Sequence, residues 1–196
     1  MKYEWVKKIS ADDLQAVVNL HFQALTESLL NNFSRQFVQI AYQSLINNPA
    51  NLSLLVKKND HVVGYLIVLF NASSQIRKIA ADNLFVFVKE GIKAVSRTPS
   101  LLIKAIDAKA LFEPHDPETG PELKFIAVDE NFRSKGIGTK MLSVLSKKLS
   151  QMEVEHYCLA TKKDNRLSNK FYINNHFIFL HQREVFGDVF NYYRSP

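Results

Sequence analysis

The sequence predicts a mixed α/β sheet with a helical insert between its third and fourth strands. Three observations carry that prediction. Apolar residues switch between period 2 and helical spacing along the chain, in the order β-α-α-β-β-(insert)-β-α-β-α-β-β. A turn with two glycines, Gly136 and Gly138, joins a strand to a helix after Val128. Residues 71–120 read differently from their surroundings, with helical apolar spacing, interleaved Lys and Arg, and breaks at Gly91 and Thr98-Pro99.

The elements follow from local signals. "YEWVKKIS" alternates imperfectly and reads as a short opening strand. Ser10 then starts "SADD", a capping box with Asp13 in the third helical position. Leu14, Val17, Val18, Leu20 and Phe22 give one helix, broken around "NNFS". Ser34 caps a second helix, carrying Phe37, Ile40, Ala41, Leu45 and Ile46, which Asn47-Asn48-Pro49 ends. "LSLLVKK" and "HVVGYLIVLF" are consecutive strands joined by a tight hairpin turn at "NDH". The insert divides into about three helical pieces and a terminal loop, "EPHDPETG". "PELKFIAV" is a strand, "TKMLSVLSKKLSQM" a helix, "HYCLAT" a strand and "NRLSNKFYINN" a short helix. "FIFLHQREVF" and "VFNYYR" close the chain as a hairpin around Gly187-Asp188.

The chain of 196 residues suits one domain, 1–196, able to bury about 70% of its unfolded surface. Lys and Arg number 25 against 19 Asp and Glu, for a net charge of +6. That balance favours anionic partners such as nucleotides, phosphorylated cofactors or an acidic membrane surface. The charge is dispersed, and no stacking-and-basic motif accompanies it, so no nucleic acid is expected as a partner. Cys158 is alone, which rules out an intrachain disulfide, fits a reducing compartment, and reads as a buried structural thiol. "MKYEWVKKISADDL" has no apolar signal core, and Val62–Phe70 is far short of the roughly 20 residues that span a bilayer. A cytoplasmic location is expected.

The turn "DENFRSKGIGTKM" has two readings, a plain strand-to-helix turn or an anion cradle. A strand ending at Val128 followed by a helix starting near Gly138 leaves backbone N–H groups without intrahelical acceptors, and the helix dipole adds to their pull on anions. Glycine at 136 and 138 lets the backbone approach a ligand, and Arg133 and Lys135 add positive charge. The P-loop spacing is absent, and the third glycine of the dinucleotide fingerprint is replaced by Met141. On spacing alone both readings stand.

The surrounding residues resemble a known family. "LKFIAVDENFRSKGIGTKML" is similar to the acyl-CoA signature of the GNAT superfamily of N-acetyltransferases, [QR]-x-x-G-x-[GA] opening a helix, here Arg133-Ser134-Lys135-Gly136-Ile137-Gly138. "NRLSNKFYINNHF" resembles the family's second signature through Asn165, Ser168, Phe171, Tyr172 and Phe177. His176 stands where the family usually has glycine, so the helix is expected to end differently, with Asn175 left-handed. The resemblance implies a GNAT-like fold with acetyl-CoA as co-substrate, and a V-shaped opening between the strands of Glu122–Val128 and His156–Thr161. Pantetheine would pair with backbone near Ile126 and Val128. The pyrophosphate would lie on the N–H groups of Arg133, Ser134, Lys135, Gly136, Ile137, Gly138 and Thr139.

Acetyl transfer by direct attack needs a neutral amine, an oxyanion donor and a proton for the thiolate. A backbone N–H near Val128 is the expected oxyanion donor. Tyr172 matches the tyrosine that similar enzymes use as general acid; otherwise it packs at a helix end with its hydroxyl bonded. Glu122 resembles the catalytic glutamate of histone-acetyltransferase-type members, and period 2 sets it on the same strand face as Val128. A surface strand glutamate, with water chains as the base, is the other reading. Asn165 either bonds pantetheine or orders its loop. The six histidines show no metal-ligand spacing, so no metal is expected. His115 and Asp116 precede the Glu122 strand and are placed to touch an acceptor.

The insert resembles that of GNAT members found with polysaccharide-biosynthesis enzymes, which implies an amino sugar or sugar nucleotide as the amine acceptor. Acetylation of a protein N-terminus or lysine, and a non-catalytic acyl-CoA-binding module, are the alternatives. "NLFVFVKEGIKAV" reads in turn as packing over the sheet, a homodimer contact, or an amphipathic face resting on a membrane or acyl chain.

Overall fold

The computed structural model describes residues 1–26, 28–83, 88–90, 92–93, 96, 120–185 and 187–196. Among the described residues, seven strands form one sheet in the order β1-β2-β3-β4-β5-β7-β6. Strands β1 (Lys2–Trp5), β2 (Leu52–Lys58), β3 (His61–Leu69) and β4 (Glu122–Val128) are antiparallel neighbours. Beyond them β5 (Cys158–Lys162) pairs with β7 (Asp188–Arg194), and β6 (Ile178–Val185) forms the far edge. Between β4 and β5 the pairing is parallel and holds at a single position, Glu122 opposite Cys158. The sheet therefore splays open from that point toward Val128, which is the opening that the resemblance implied.

Local chemistry sets the elements as the sequence anticipates. Helix α1 (Ala11–Ala24) starts at Ser10, whose hydroxyl accepts the Asp13 N–H at 3.2 Å. Helix α2 (Arg35–Ile46) starts at Ser34 with the same bond to Phe37, also at 3.2 Å. Asn59 and Asp60 turn β2 into β3 with φ of 49° and 62°. Two consecutive left-handed residues match the right-handed twist of the strands they join, which is why Asn-Asp suits this hairpin.

Helices cover both faces of the sheet. Helix α4 (Ile137–Ser150) lays Met141, Leu142, Leu145 and Leu149 on the apolar side chains of β2, β3 and β5. Burying each leucine is worth about 2 kcal/mol, so its 3.6-residue periodicity fixes which side of α4 meets the sheet. Helix α5 (Arg166–Asn174) lies in the same layer through Tyr172. On the opposite face, α1 and α2 pack Leu14, Val17, Val18, Val38 and Tyr42 on Leu55, Tyr65, Ile67 and Ala127.

Helix α3 (Ala72–Asp82) opens the insert between β3 and β4. Gln75 and Asn51 exchange two side-chain hydrogen bonds of 2.7 Å, which dock α3 beside the start of β2. The backbone is helical again at 88–90 and 92–93. There Glu90 is buried and accepts the Ser34 N–H at 2.9 Å, while Val88 and Ile92, four residues apart, are exposed. The insert's breaks at Gly91 and Thr98-Pro99, its closing loop, His115 and Asp116 lie outside the described residues.

Two expectations fail for identifiable reasons. The partners of β4 run from Ile67 opposite Phe125 to Val68 opposite Leu123, so Lys124 is an extra residue, a β-bulge. Side chains of Ile126 and Val128 lie on the α4 side and those of Phe125 and Ala127 on the other, yet Leu123 returns to the α4 side. Glu122 is therefore on the face opposite Val128, not the same one. At the end of α5 it is His176, not Asn175, that is left-handed, with φ of 64°.

Candidate active site

The mouth of the β4–β5 opening is built by the turn after Val128. Asp129 Oδ1 accepts the Asn131 N–H at 2.9 Å and starts a single 3-10 turn, Glu130–Phe132. The Arg133 N–H closes that turn on Glu130 O at 3.3 Å, so it is engaged and does not join the free donors. Ser134 and Gly136 are left-handed, with φ of 59° and 74°, and flank Lys135. Such an alternation folds successive N–H groups into a concave nest that suits an anion. The first bond of α4 runs from Lys140 N–H to Gly136 O at 2.9 Å, which leaves Ile137, Gly138 and Thr139 N–H without intrahelical acceptors.

The two glycines answer to different demands. A Cβ built on Gly136 would meet nothing within 4 Å, so the left-handed backbone is what requires glycine there, and the space beside it stays open. A Cβ on Gly138 would lie 3.0 Å from Phe171 Cζ. Gly138 thus serves the close approach of α5 to the first turn of α4, a role that its spacing alone does not reveal. Around the turn, Arg133 Nε donates to Val128 O at 3.0 Å and Lys135 Nζ to Asn131 O at 2.8 Å. Lys135 and Lys58 each lie over the Phe132 ring, at 5.3 and 5.1 Å from its centre.

Strand geometry orients the edge of β4. The Asp129 N–H donates to Val63 O at 2.9 Å, across the Gly64–Val128 pair. Backbone groups alternate along a strand, so Ala127 also faces β3, and the N–H and C=O groups of Ile126 and Val128 face the opening. This is the edge that β5 does not reach.

Tyr172 is buried in an aromatic layer with Phe171, Phe177 and Tyr193, whose ring centres lie 5.3, 5.4 and 6.1 Å away. Burial, and then the neighbouring Tyr157, push its hydroxyl well above the ordinary tyrosine range. Ile126, Val128 and this aromatic layer belong to one apolar core on the α4 side of the sheet. Asn165 is the N-cap of α5, its Oδ1 accepting the Ser168 N–H at 3.0 Å, so the loop-ordering half of its expected roles is present.

Glu122, 5% exposed, stands at the closed end of the opening and pairs with Lys124, Oε1 to Nζ 2.9 Å. Burial works against the Lys124 charge, but the attraction and hydrogen bond of Glu122 outweigh it and raise the ammonium's pKa. Sequence reasoning missed Lys124, because the bulge that swings it round leaves no mark in a single sequence. It also missed Asn169. Nδ2 of Asn169 donates to the carbonyls of Asn165 and Lys162 at 2.7 and 2.9 Å. Its Oδ1 accepts from Asn191 Nδ2 and Tyr193 Oη, both at 2.7 Å, which ties α5 to β7.

The third omission is a buried chain on the other face. His21 is fully buried, with Nδ1 2.7 Å from Tyr42 Oη, which is 2.7 Å from Tyr65 Oη. The rings of His21 and Tyr42 lie 6.1 and 5.2 Å from that of Phe125, the residue beside the bulge. Burial holds the His21 pKa down to about 4, against a smaller opposing effect of Asn31. Cys158 is buried, as expected.

Among the described residues no cluster of His, Cys, Asp and Glu could hold a metal ion, and no helix is long and apolar enough to cross a membrane. Solved structures share the fold at low identity. The PaiA N-acetyltransferase of Thermoplasma acidophilum, solved with coenzyme A, is 13% identical with a TM-score of 0.60, covering 98% of each chain. The ribosomal-protein-alanine N-acetyltransferase of Brucella melitensis is 14% identical with a TM-score of 0.62, covering 100% of this chain and 99% of its own. The ribosomal-protein-S18-alanine N-acetyltransferase of Escherichia coli is 13% identical with a TM-score of 0.58, covering 100% and 94%. No curated protein sequence matches the chain. The family model described as the acetyltransferase (GNAT) family matches residues 19–177, from the middle of α1 through the end of α5, and the chain belongs to that family.

Proposed function

We propose that this acetyltransferase moves the acetyl group of acetyl-CoA to the primary amine of a small molecule, with an amino sugar or sugar nucleotide as acceptor. The observation that carries the reading is the pairing of an open strand edge with an anion nest at its mouth. A ligand with amides along its body and a pyrophosphate at one end fits that pair. The amides meet the backbone of Ile126 and Val128, and the pyrophosphate meets the N–H groups of Ser134 through Thr139, with Arg133 and Lys135 beside them.

Bound acetyl-CoA supplies a thioester; as the new N–C bond forms and the C–S bond breaks, the amine loses one proton and the thiolate gains one. Tyr172 holds its proton at neutral pH and gives it to the thiolate. Glu122, paired with Lys124 at 2.9 Å, takes the amine's proton on the face opposite α4. The Val128 N–H, directed into the opening, donates to the developing oxyanion. Asn165 and Asn169 hold α5, and so Tyr172, in place.

Thermal melting with acetyl-CoA tests the nest. A hundredfold excess over Kd stabilises by about 2.7 kcal/mol, roughly 5–10 °C for a chain of this size. Gly136→Glu sets a carboxylate in the nest and is expected to abolish the rise. An undiminished rise in that variant removes the nest assignment.

A further inference from the structure

We infer that His21 is a positioning residue for acetyl transfer: through Asn31 it holds the loop between α1 and α2 where the amine approaches. The inference rests on the proposed transfer and adds a determinant of its acceptor side. Helix α1 crosses the sheet. In its first turn Asp13 meets Lys57 of β2 at 2.8 Å, and in its last turn the His21 ring lies 6.1 Å from that of Phe125 in β4. The rise from Asp13 to His21 is about 12 Å, enough to pass from β2 over β3 to β4 at about 4.8 Å per strand. The loop after α1 therefore begins over β4, the last strand before the opening, on the face opposite α4. In the proposed transfer this is the face from which the amine comes.

A buried chain of polar groups ends at that loop. Tyr65, Tyr42 and His21 are linked by two contacts of 2.7 Å, and none of the three is exposed. The far end is fixed by β3, where Tyr65 stands opposite Ala127. At the near end His21 Nε2 and Asn31 Oδ1 are both buried, and neither makes a hydrogen bond of good geometry. They are nonetheless close, because Asn31, as a hydrogen-bond acceptor, opposes the downward pull of burial on the imidazole pKa. Each supplies what the other lacks. Asn31 Nδ2 donates in turn to Leu25 O and Thr26 O at 2.8 and 2.9 Å, which closes the loop on the end of α1. Only one sense of the chain suits all its groups. If Tyr65 donates to Tyr42 and Tyr42 to Nδ1, the imidazole carries its proton on Nε2 and directs it at Asn31. In the reverse sense Tyr65 has a proton with no acceptor among the described residues, and a lone pair on Nε2 confronts an oxygen. The sheet thus sets the His21 tautomer, and His21 sets the loop.

Amide side chains of two lengths separate the two nitrogens. A glutamine amide reaches as far as Nε2 and donates to Asn31, whereas an asparagine amide stops near Nδ1 and meets only Tyr42. Thiol release from acetyl-CoA is followed against rising amine, with glucosamine, spermidine and alanylalanine as probes. For the best-used probe, His21→Asn is expected to raise KM about 5- to 10-fold, the worth of one hydrogen bond, with kcat within about twofold. His21→Gln should keep a KM near that of the wild type, although both variants melt lower. Asn31→Ala breaks the link from the loop end and should show the same rise, which decides the matter even where a His21 variant fails to fold. Acetyl-CoA should stabilise each folded variant as it does the wild type. An unchanged KM in His21→Asn or Asn31→Ala, or an equal rise in His21→Asn and His21→Gln, overturns the inference. If the wild-type chain turns over none of the three probes, the transfer reading itself falls, and the inference with it.

Discussion

In the proposed reading, the two faces of the splayed sheet meet their ligands with different parts of the chain. On the α4 and α5 face, what is offered to the proposed cofactor is main chain: the β4 edge at Ile126 and Val128, and the N–H nest from Ser134 to Thr139. On the opposite face the proposed base is a side chain, Glu122, paired with Lys124 at 2.9 Å. Main-chain donors do not change when side chains do, so a cofactor bound by backbone survives sequence drift to the 12–17% identity at which the fold recurs. An acceptor bound by side chains changes with each of them. One face therefore suits the reagent common to a family, and the other the substrate that differs.

Removing the proposed acid, Tyr172, tests that division most severely. Tyr172→Phe keeps the aromatic layer with Phe171 and Phe177 and deletes one hydroxyl. The expected loss in kcat is about a hundredfold or more, the range of a positioned general acid, with the melting shift from acetyl-CoA intact. The raised hydroxyl pKa predicts that no alkaline fall in rate due to this group begins below about pH 10. Wild-type rates in the phenylalanine variant would take Tyr172 out of the chemistry.

The opposite face is broken by acid rather than by mutation. His21 is neutral in the fold, with its pKa near 4, against about 6.5 in an unfolded chain. The unfolded chain thus binds the proton first as pH drops. The stability that depends on neutral His21 is complete above about pH 6.5 and is lost as pH falls through 4, about 3 kcal/mol in all. Urea midpoints should fall between pH 7 and 4 more steeply for the wild type than for His21→Gln, in which carboxylates still titrate and this imidazole does not. Parallel slopes would place the protonation elsewhere.

Much of the fold is legible in the sequence because its signals are local. Ser10 and Ser34 cap helices by reaching three residues ahead, Asn59-Asp60 turns a hairpin on its own, and Met141, Leu142, Leu145 and Leu149 repeat at the helical period. The nest is legible for the same reason, since its donors are consecutive. Glu122 is read on the wrong face because one extra residue, Lys124, resets the alternation, and a bulge is decided by pairing with β3 rather than by β4 itself. The chain from His21 to Tyr65 draws on α1, α2 and β3, and no spacing rule joins residues 21, 42 and 65.

A smaller effect separates the two glycines. Gly138→Val drives a branched side chain toward Phe171, where even one carbon sits at 3.0 Å. Overpacking of this kind costs about 1–3 kcal/mol, and it pushes α5, and Tyr172 with it, away from α4. Gly136→Ala meets no atom and bears only left-handed strain, about 1 kcal/mol. The valine variant should therefore lose both melting temperature and kcat, and the alanine variant should lose less of each. Equal losses would mean that both glycines serve the backbone alone.

The smallest effect is a gain. His176 ends α5 in the left-handed conformation, and its N–H donates to Ile173 O at 3.0 Å while that of Phe177 donates to Tyr172 O at 3.1 Å. This is a Schellman ending, sealed by the contact of Phe177 with Tyr172. A histidine pays about 1–2 kcal/mol to be left-handed, and glycine gives back about 0.5–1 through its freer unfolded chain. His176→Gly should thus stabilise by about 0.5–1 kcal/mol, or 1–4 °C in melting temperature, with kcat unaltered because the bonds that close this end of α5 are backbone bonds. A lower melting temperature would show that the imidazole makes a contact worth more than the strain it bears, and that this helix end is held by a side chain after all.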